Sequence, residues 1–438
     1  MATKPAAHPV ASSIALRSLI VLVLVNILNF YDRQVPGALV EPMRREFGLS
    51  DAQIGWIGTA FTLLYAVIGL PLGRIADRGS RKKLLAAGIA VWGVLTGLAA
   101  WARGLPMLVV SRLGVGVGEA ACAPSATSWI GDLFPPERRA RPLALFMLGV
   151  PVGGALSYFF SGPMAQAWGW RSAMVAAAIP ALLLSPIVLM LEEPQRGASD
   201  QGASMSQGAV AHLLRLPTFW WIILSGVLVN FNLYAVGTFL PAFLGRIHHL
   251  NVARAGIYTG TVYLIGGLLG GTIGGTWGDK VVRRRPGARM LLSAVAAIVA
   301  APLAYIGFRQ HLGALNIAIP LLTAAYGLLN MYYGLVYASL HDIVGPELRG
   351  TAMAIYFLVM YLGGASFGPV LTGKLSDVMA RRAATLAGSA KVTETFRAVG
   401  LQQAMLIVPV LALALGVVLW LGSRSLAREK SRDLKLSN

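Results

Sequence analysis

Twelve runs of about twenty mostly apolar residues dominate this chain, and each is long enough for a helix to cross the ~30 Å hydrocarbon layer of a membrane. They fall at roughly 14–40, 51–73, 82–101, 106–132, 140–165 and 172–191, then 217–244, 253–277, 288–308, 313–342, 350–373 and 398–423. The runs are continuously apolar, whereas membrane strands alternate apolar and polar residues, so helices are expected throughout. Only 13% of the residues are charged, about half the share in a soluble domain. The expected fold class is an all-α polytopic membrane protein.

Six runs precede residues 192–216 and six follow. That segment opens on Glu192-Glu193-Pro194 and stays polar, and it reads as a linker between an N-terminal six-helix bundle (1–191) and a C-terminal one (217–438). Placing the N-terminus in the cytoplasm puts 23 of the 37 Lys and Arg residues inside and 12 outside, with Arg33 and Arg112 within the runs. The clusters Arg81-Lys82-Lys83, Arg138-Arg139, Arg283-Arg284-Arg285 and the C-terminal tail then obey the positive-inside rule. The net charge of +19 thus speaks for topology and anionic lipid rather than nucleic acid. No small-residue cleavage site follows the first run, so it is expected to remain as a helix. Both termini are expected in the cytoplasm. The single cysteine, Cys122, has no intrachain partner for a disulfide.

The two halves repeat. Gly73 and Asp77 after the second run match Gly275 and Asp279 after the eighth, at an offset of 202. Pro136-Glu137 with Arg139 before the fifth matches Pro346-Glu347 with Arg349 before the eleventh, at an offset of 210 that also relates Asp132 to Asp342. Such repeats imply two pseudo-symmetric bundles with a site between them. In the second copy Lys280 stands where the first has Arg78, and the basic run is displaced by Val281-Val282.

Over nearly its whole length the chain resembles the major facilitator superfamily. Gly73-x-x-x-Asp77-Arg78-x-x-Arg81-Lys82 is similar to that superfamily's loop between helices 2 and 3, and Arg112-x-Gly114-x-Gly116-x-Gly118-Glu119 to its fourth-helix motif. Asn29-Phe30-Tyr31-Asp32-Arg33 and the stretch from Arg112 to Ala140 resemble the spinster branch. The resemblance implies a transporter of lysophospholipids, sphingoid phosphates or related amphiphiles, driven by protons. Organic-anion symporters of the same superfamily begin similarly.

Asp32 and Arg33 in the first run, and Arg112 and Glu119 in the fourth, are costly inside a membrane, commonly ~2.5–3.5 kcal/mol each, and such residues face a partner or a polar path. At 1.5 Å per residue Asp32 lies ~13 Å from the outer end of its helix, Arg112 ~9 Å and Glu119 ~20 Å. Glu119 and Asp32 are therefore the candidate proton carriers, because a carboxyl binds its proton differently as an arginine approaches or withdraws. Arg112 and Arg33 are candidate ion-pair partners or anion-binding groups. The second half offers Asn230, Asn232 and Tyr234, with Asn330, Tyr332, Tyr333 and Tyr337, as a polar-aromatic cavity wall. A cytoplasmic gate is expected from Gly73, Asp77, Arg81, Asp132, Arg139, Asp279 and Arg349, whose charges sit at helix ends. His248, His249 and His311 read as solvated residues of outer loops. The glycine pairs of the eighth run read as packing and hinge positions, and Pro151, Pro180 and Pro369 as bends.

The leading expectation is a secondary transporter, not an enzyme, working by alternating access on an amphiphile or organic anion. It needs no cofactor beyond a proton gradient, and its setting is a bacterial inner membrane, as a monomer. A lipid-modifying membrane enzyme would need a nucleophile–base pair or metal cluster that the sequence does not supply. A transporter-like receptor or scaffold would differ only in carrying no flux.

Overall fold

The structure, a computed structural model, describes residues 12–135, 138–195, 213–282, 287–344 and 348–437; the side chains of Ser12, Asp77, Ala140, Asp279, Val281, Val282 and residues 430–437 also fall outside that description. Among the described residues every regular element is helical. Twelve helices are long and apolar enough to cross a membrane: α1 Ser13–Ala38, α2 Asp51–Ala76, α3 Arg81–Trp101, α4 Leu105–Leu133, α5 Arg141–Trp168, α6 Trp170–Met190, α7 Pro217–Ile247, α8 Val252–Gly278, α9 Ala288–Phe308, α10 Leu315–Asp342, α11 Arg349–Leu386 and α12 Glu394–Glu429. A short helix, Val40–Phe47, joins α1 to α2.

Local chemistry sets the starts. Ser50 accepts from the Gln53 backbone N–H while the Gln53 side chain accepts from the Ser50 N–H, a reciprocal cap for α2. Ser80 caps α3 and Asn251 caps α8 in the same one-sided way. Gly287, at φ 77°, turns the chain into α9 where a Cβ would stand 2.6 Å from the Ser423 carbonyl oxygen.

Proline sets the interruptions. The helical path breaks at Leu39, Ala121, Leu148, Ser366 and Leu406, and Pro42, Pro124, Pro151, Pro369 and Pro409 each lie three residues on. A proline in the first turn of a new segment costs little, because that N–H has no partner there anyway. Pro180 does not behave as the sequence suggested: α6 runs unbroken through it. Two π-helical turns, Val262–Gly266 in α8 and Tyr361–Ala365 in α11, add further irregularity, both in the C-terminal half.

The halves meet along α2 with α11, α5 with α8 and α1 with α7. Toward the end opposite the Lys/Arg clusters these pairs touch through glycine. A Cβ on Gly55 would lie 2.5 Å from the Pro369 carbonyl, on Gly37 2.7 Å from that of Gly237, and on Gly256 2.7 Å from that of Tyr158. Toward the basic end, Gly69 and Gly73 of α2 and Gly271 and Gly275 of α8 face open space. The remaining glycines of the α8 pairs do pack: Gly266 and Gly274 press on α10 and Gly267 on Pro151. One end is sealed and the other is open.

α11 outruns the expected limit at residue 373 and reaches Leu386. Lys374, Asp377, Arg381 and Arg382 end the apolar count without ending the helix. Asp377 instead accepts from the backbone N–H groups of Asp51 (3.1 Å) and Ala52 (2.9 Å), capping α2 from the other half.

Candidate functional site

The four intramembrane charges form two ion pairs between α1 and α4. Arg33 Nε donates to Glu119 Oε2 at 2.8 Å, and Arg112 Nη2 to Asp32 Oδ2 at 3.1 Å. Arg112 also donates to Thr96 Oγ1 (2.8 Å) and to the Asp32 carbonyl (3.3 Å). Glu119 is 0% exposed, and Asp32 and Arg112 2% each. By helix rise Asp32, the neighbour of Arg33, and Glu119 differ in depth by ~7 Å, and the long Arg33 side chain spans that gap.

Arg33 also faces the other half. Its guanidinium lies over the rings of Tyr65 (4.4 Å), Phe30 (4.5 Å) and Phe61 (5.4 Å), and Nη1 reaches the Tyr361 hydroxyl at 3.4 Å. Tyr361 belongs to the π-helical turn of α11. Its ring touches those of Tyr65 and Tyr234, so this turn brings the second half to the charged centre. No local pattern in the chain marks this turn. Arg33, Gln34, Arg112, Tyr234 and Thr238 line a small cavity of ≈ 40 Å³ below the sealed end.

Of the expected aromatic wall, Tyr234 lines this cavity. Tyr234, Tyr333 and Tyr337 are half-buried, and Tyr333 donates to Asn230 Oδ1 at 3.1 Å. Rings run on from Tyr333 to Tyr337, Tyr356 and Phe357. Asn230 stands behind Tyr333, 1% exposed. Asn330 donates to the Tyr326 carbonyl of its own helix and packs its Cβ against Gly270 of α8; it is a helix-packing residue here. Tyr332 is buried in the core with Ser225 and Tyr356.

At the basic end, Arg81 pairs with Asp132 and with Glu193 (3.2 Å) and donates to Ser128 Oγ at 3.1 Å. Glu193 also accepts from Ser80 Oγ (2.6 Å) and the Arg81 N–H (2.8 Å). Burial pushes the Glu193 carboxyl up, but these hydrogen bonds outweigh it and hold it below the usual glutamate value. The other half has the matching pair Arg289–Asp342 at 2.9 Å. Arg289, opening α9, thus stands in the second half where Arg81 stands in the first; the displaced run 283–285 lies outside the described residues. Arg139 donates to the Phe134 carbonyl, Arg349 is exposed, and Gly73 faces open space. The side chains of Asp77 and Asp279 lie outside the described residues. The ion pairs of Arg81 and of Arg289 described at this end each stay on one side of the seam between the halves.

The sealed end is the reverse. Arg246 of α7 bonds both carboxylate oxygens of Asp51 (2.7 and 2.8 Å) and Glu41 Oε1 (2.6 Å). Arg44 joins Glu41 (3.2 Å) to Glu394 of α12 (2.6 Å), and Ser376 of α11 donates to Asp51 at 2.6 Å. Asp51 is 1% exposed, Arg44 4% and Arg246 7%. This latch joins the two halves, and sequence reasoning missed it because charges at span ends are commonplace. His248 is also not solvated as expected: it is buried against Phe243, and burial lowers its ring pKa.

Thirteen buried side-chain atoms have no hydrogen-bond partner among the described residues. Each costs ~1–3 kcal/mol if left dry. Seven of them belong to α1, α3 and α4: Asn29 Nδ2, Asp32 Oδ1, Trp92 Nε1, Arg112 Nε, Glu119 Oε1, Ser125 Oγ and Trp129 Nε1.

Comparison with known proteins matches this architecture. Residues 22–369 fit the pattern of the Major Facilitator Superfamily. An MFS-type efflux pump of Mycolicibacterium smegmatis is 31% identical over 360 residues, covering 82% of this chain and 83% of that protein. Human protein spinster homolog 1 is 27% identical over 386 residues, 82% and 73% of the two chains. A crystal structure of a bacterial homologue of the human lysosomal transporter spinster, inward-facing and unoccupied, superposes with a TM-score of 0.86 at 27% identity over 95% of this chain and 98% of that one. A D-xylose–proton symporter shares the fold, at a TM-score of 0.72 and 19% identity over 92% of this chain and 97% of that one. The chain is a transporter of the Major Facilitator Superfamily and, within it, resembles the spinster proteins.

Proposed function

We propose that the protein is a secondary active transporter that moves an amphiphilic or anionic small molecule, lysophospholipid-like, by alternating access coupled to protons. The observation that carries this reading is the Arg33–Glu119 pair, buried at 2.8 Å and touching both halves through Tyr361. An anionic head that takes Arg33 leaves Glu119 without its cation. A buried carboxylate in that position is costly and binds a proton instead. Asp32 with Arg112 is the second such couple. The half-buried Tyr234, Tyr333 and Tyr337 supply an apolar wall with hydroxyl edges for the rest of the molecule. In this reading the open basic end faces the cytoplasm of a bacterial inner membrane, with both termini on that side. The latch of Arg246, Asp51, Glu41, Arg44 and Glu394 closes the outer face, and the protein works as a monomer.

Proteoliposome transport of a panel of lysophospholipids and organic anions, with and without a pH gradient, tests this reading. Lysophospholipid movement that rises with the gradient is expected, with Glu119→Gln lowering the gradient-driven rate at least ~10²-fold, as loss of a proton-transfer group does. A gradient-driven rate unchanged in Glu119→Gln would remove the coupling. Flux of small organic anions alone would favour the runner-up, an organic-anion:proton symporter. Kinship with an efflux pump makes outward export the direction to measure first. No flux of any panel member would point to a receptor or scaffold.

A further inference from the structure

We infer that the N-terminal half contains a file of internal water, leading away from the cavity between the halves, that carries protons between Glu119 and the basic end. The proposal rests on the proton-coupled reading of Glu119. More than half of the buried polar atoms without partners fall on three neighbouring helices of one half. Together their dry cost approaches the whole net stability of a folded domain, and buried water is the usual remedy where several polar atoms converge.

Their order along the helices makes a path. Arg112 and Asp32 stand at the top, with Asn29 one turn inward on α1. Along α4, Glu119, Ser125 and Trp129 follow Arg112 at ~10, ~20 and ~26 Å by helix rise. Trp92 of α3 packs on Gly118, the residue before Glu119: a Cβ on Gly118 would sit 3.2 Å from the Trp92 Cβ. Trp92, Cys122, Trp129 and Val25 share one core cluster. Next to Trp129, Ser128 bonds Arg81 Nη1, which opens onto Asp132 and Glu193 at the basic end. Pro124 adds an acceptor beside Glu119, because it has no N–H for the Ala120 carbonyl. Successive groups on α4 lie ~6–10 Å apart along the helix axis, a spacing that two or three waters in line would bridge.

The groups divide the work. The Trp92 and Trp129 indole N–H groups and the Asn29 amide donate to water and hold it in place. Ser125 both accepts and donates, so it can pass a proton on. A proton entering at the basic end hops along the water and ends on the Glu119 carboxylate; nothing is oxidised or reduced. The ionisable groups facing the file are Asp32, Arg33, Arg112, Glu119, Cys122 and Tyr65 above, and Arg81, Asp132 and Glu193 below. The two arginines at the top repel an excess proton and stop it from crossing to the sealed end.

Ser125→Ala with Trp129→Phe removes two anchors and keeps the packing. In proteoliposomes with lysophosphatidylethanolamine as the probe, pH-gradient-driven transport should slow about tenfold. Counterflow exchange at equal pH should stay near the parent rate. Equal slowing of both overturns the file and makes the two residues structural. If Glu119→Gln abolishes gradient-driven transport but the double variant does not alter it, the file falls and the coupling reading stands. If Glu119→Gln changes nothing, both fall. Radiolytic hydroxyl-radical footprinting needs no substrate: Trp92 and Trp129 should be oxidised at rates near that of the exposed Trp101, and full protection of both overturns the proposal.

Discussion

Arg33 holds the centre by more than its charge. Three rings surround its guanidinium and one carboxylate balances it. A lysine keeps the charge but loses the flat stack and the directed Nε–H. Arg33→Lys is therefore expected to keep the fold and lower transport by about tenfold or more, read as a flux in proteoliposomes. Arg112→Ala should behave differently. It strands a carboxylate that is 2% exposed, and breaking such a buried pair costs ~3–5 kcal/mol, to be read as a lower thermal midpoint in detergent. Asp32, Arg33, Arg112 and Glu119 were legible in the sequence because a charge in an apolar run is anomalous on its own. Arg246 and Asp51 were not. Each ends a span as thousands of ordinary charges do, and their meeting across 195 residues leaves no local pattern.

At the scale of the helices, proline decides where a rod is jointed and where it is not. Pro124 opens a new segment within the turn that follows Glu119, and Pro180 leaves α6 straight. The sequence tells where prolines are, but the neighbouring helices decide whether the chain bends. Pro124→Ala restores an N–H for the Ala120 carbonyl. Thermal stability should hold or rise, while transport falls because a straight α4 re-aims Glu119 away from Arg33. Unchanged flux in that variant would show that the joint is incidental. The linker clamp invites a second test. With Glu193 held below its usual value, its contribution is present above the ordinary glutamate range and is lost as pH falls through the lowered value. Glu193→Gln should loosen the start of α3 at neutral pH, seen as faster amide exchange at residues 81–83.

Across the whole molecule, pairing is lopsided: the sealed end binds half to half, and the described pairs of the basic end bind each half to itself. Twelve helices, two bundles and the N-terminal site of charge follow from apolar length, repeat and anomaly in the sequence. The state of the molecule does not, since it depends on contacts between residues hundreds of positions apart. Gly373 lies where a side chain would run into the Asp51 carbonyl across the seam. Gly373→Val should hold the seam apart, and spin labels on the sealed ends of α2 and α11 should report a longer distance. Arg246→Ala should shift the same distance in the same direction by undoing the latch.

The latch also gives the carrier a thermal preference. Taking ions out of water becomes less costly as temperature rises, while the stabilisation from apolar contacts levels off. A closure built on the two buried contacts of Arg246 with Glu41 and Asp51 therefore gains on its apolar competitors with warming. The resting population should drift toward the sealed form in heat and away from it in cold, so temperature would itself set how readily the empty carrier opens that end.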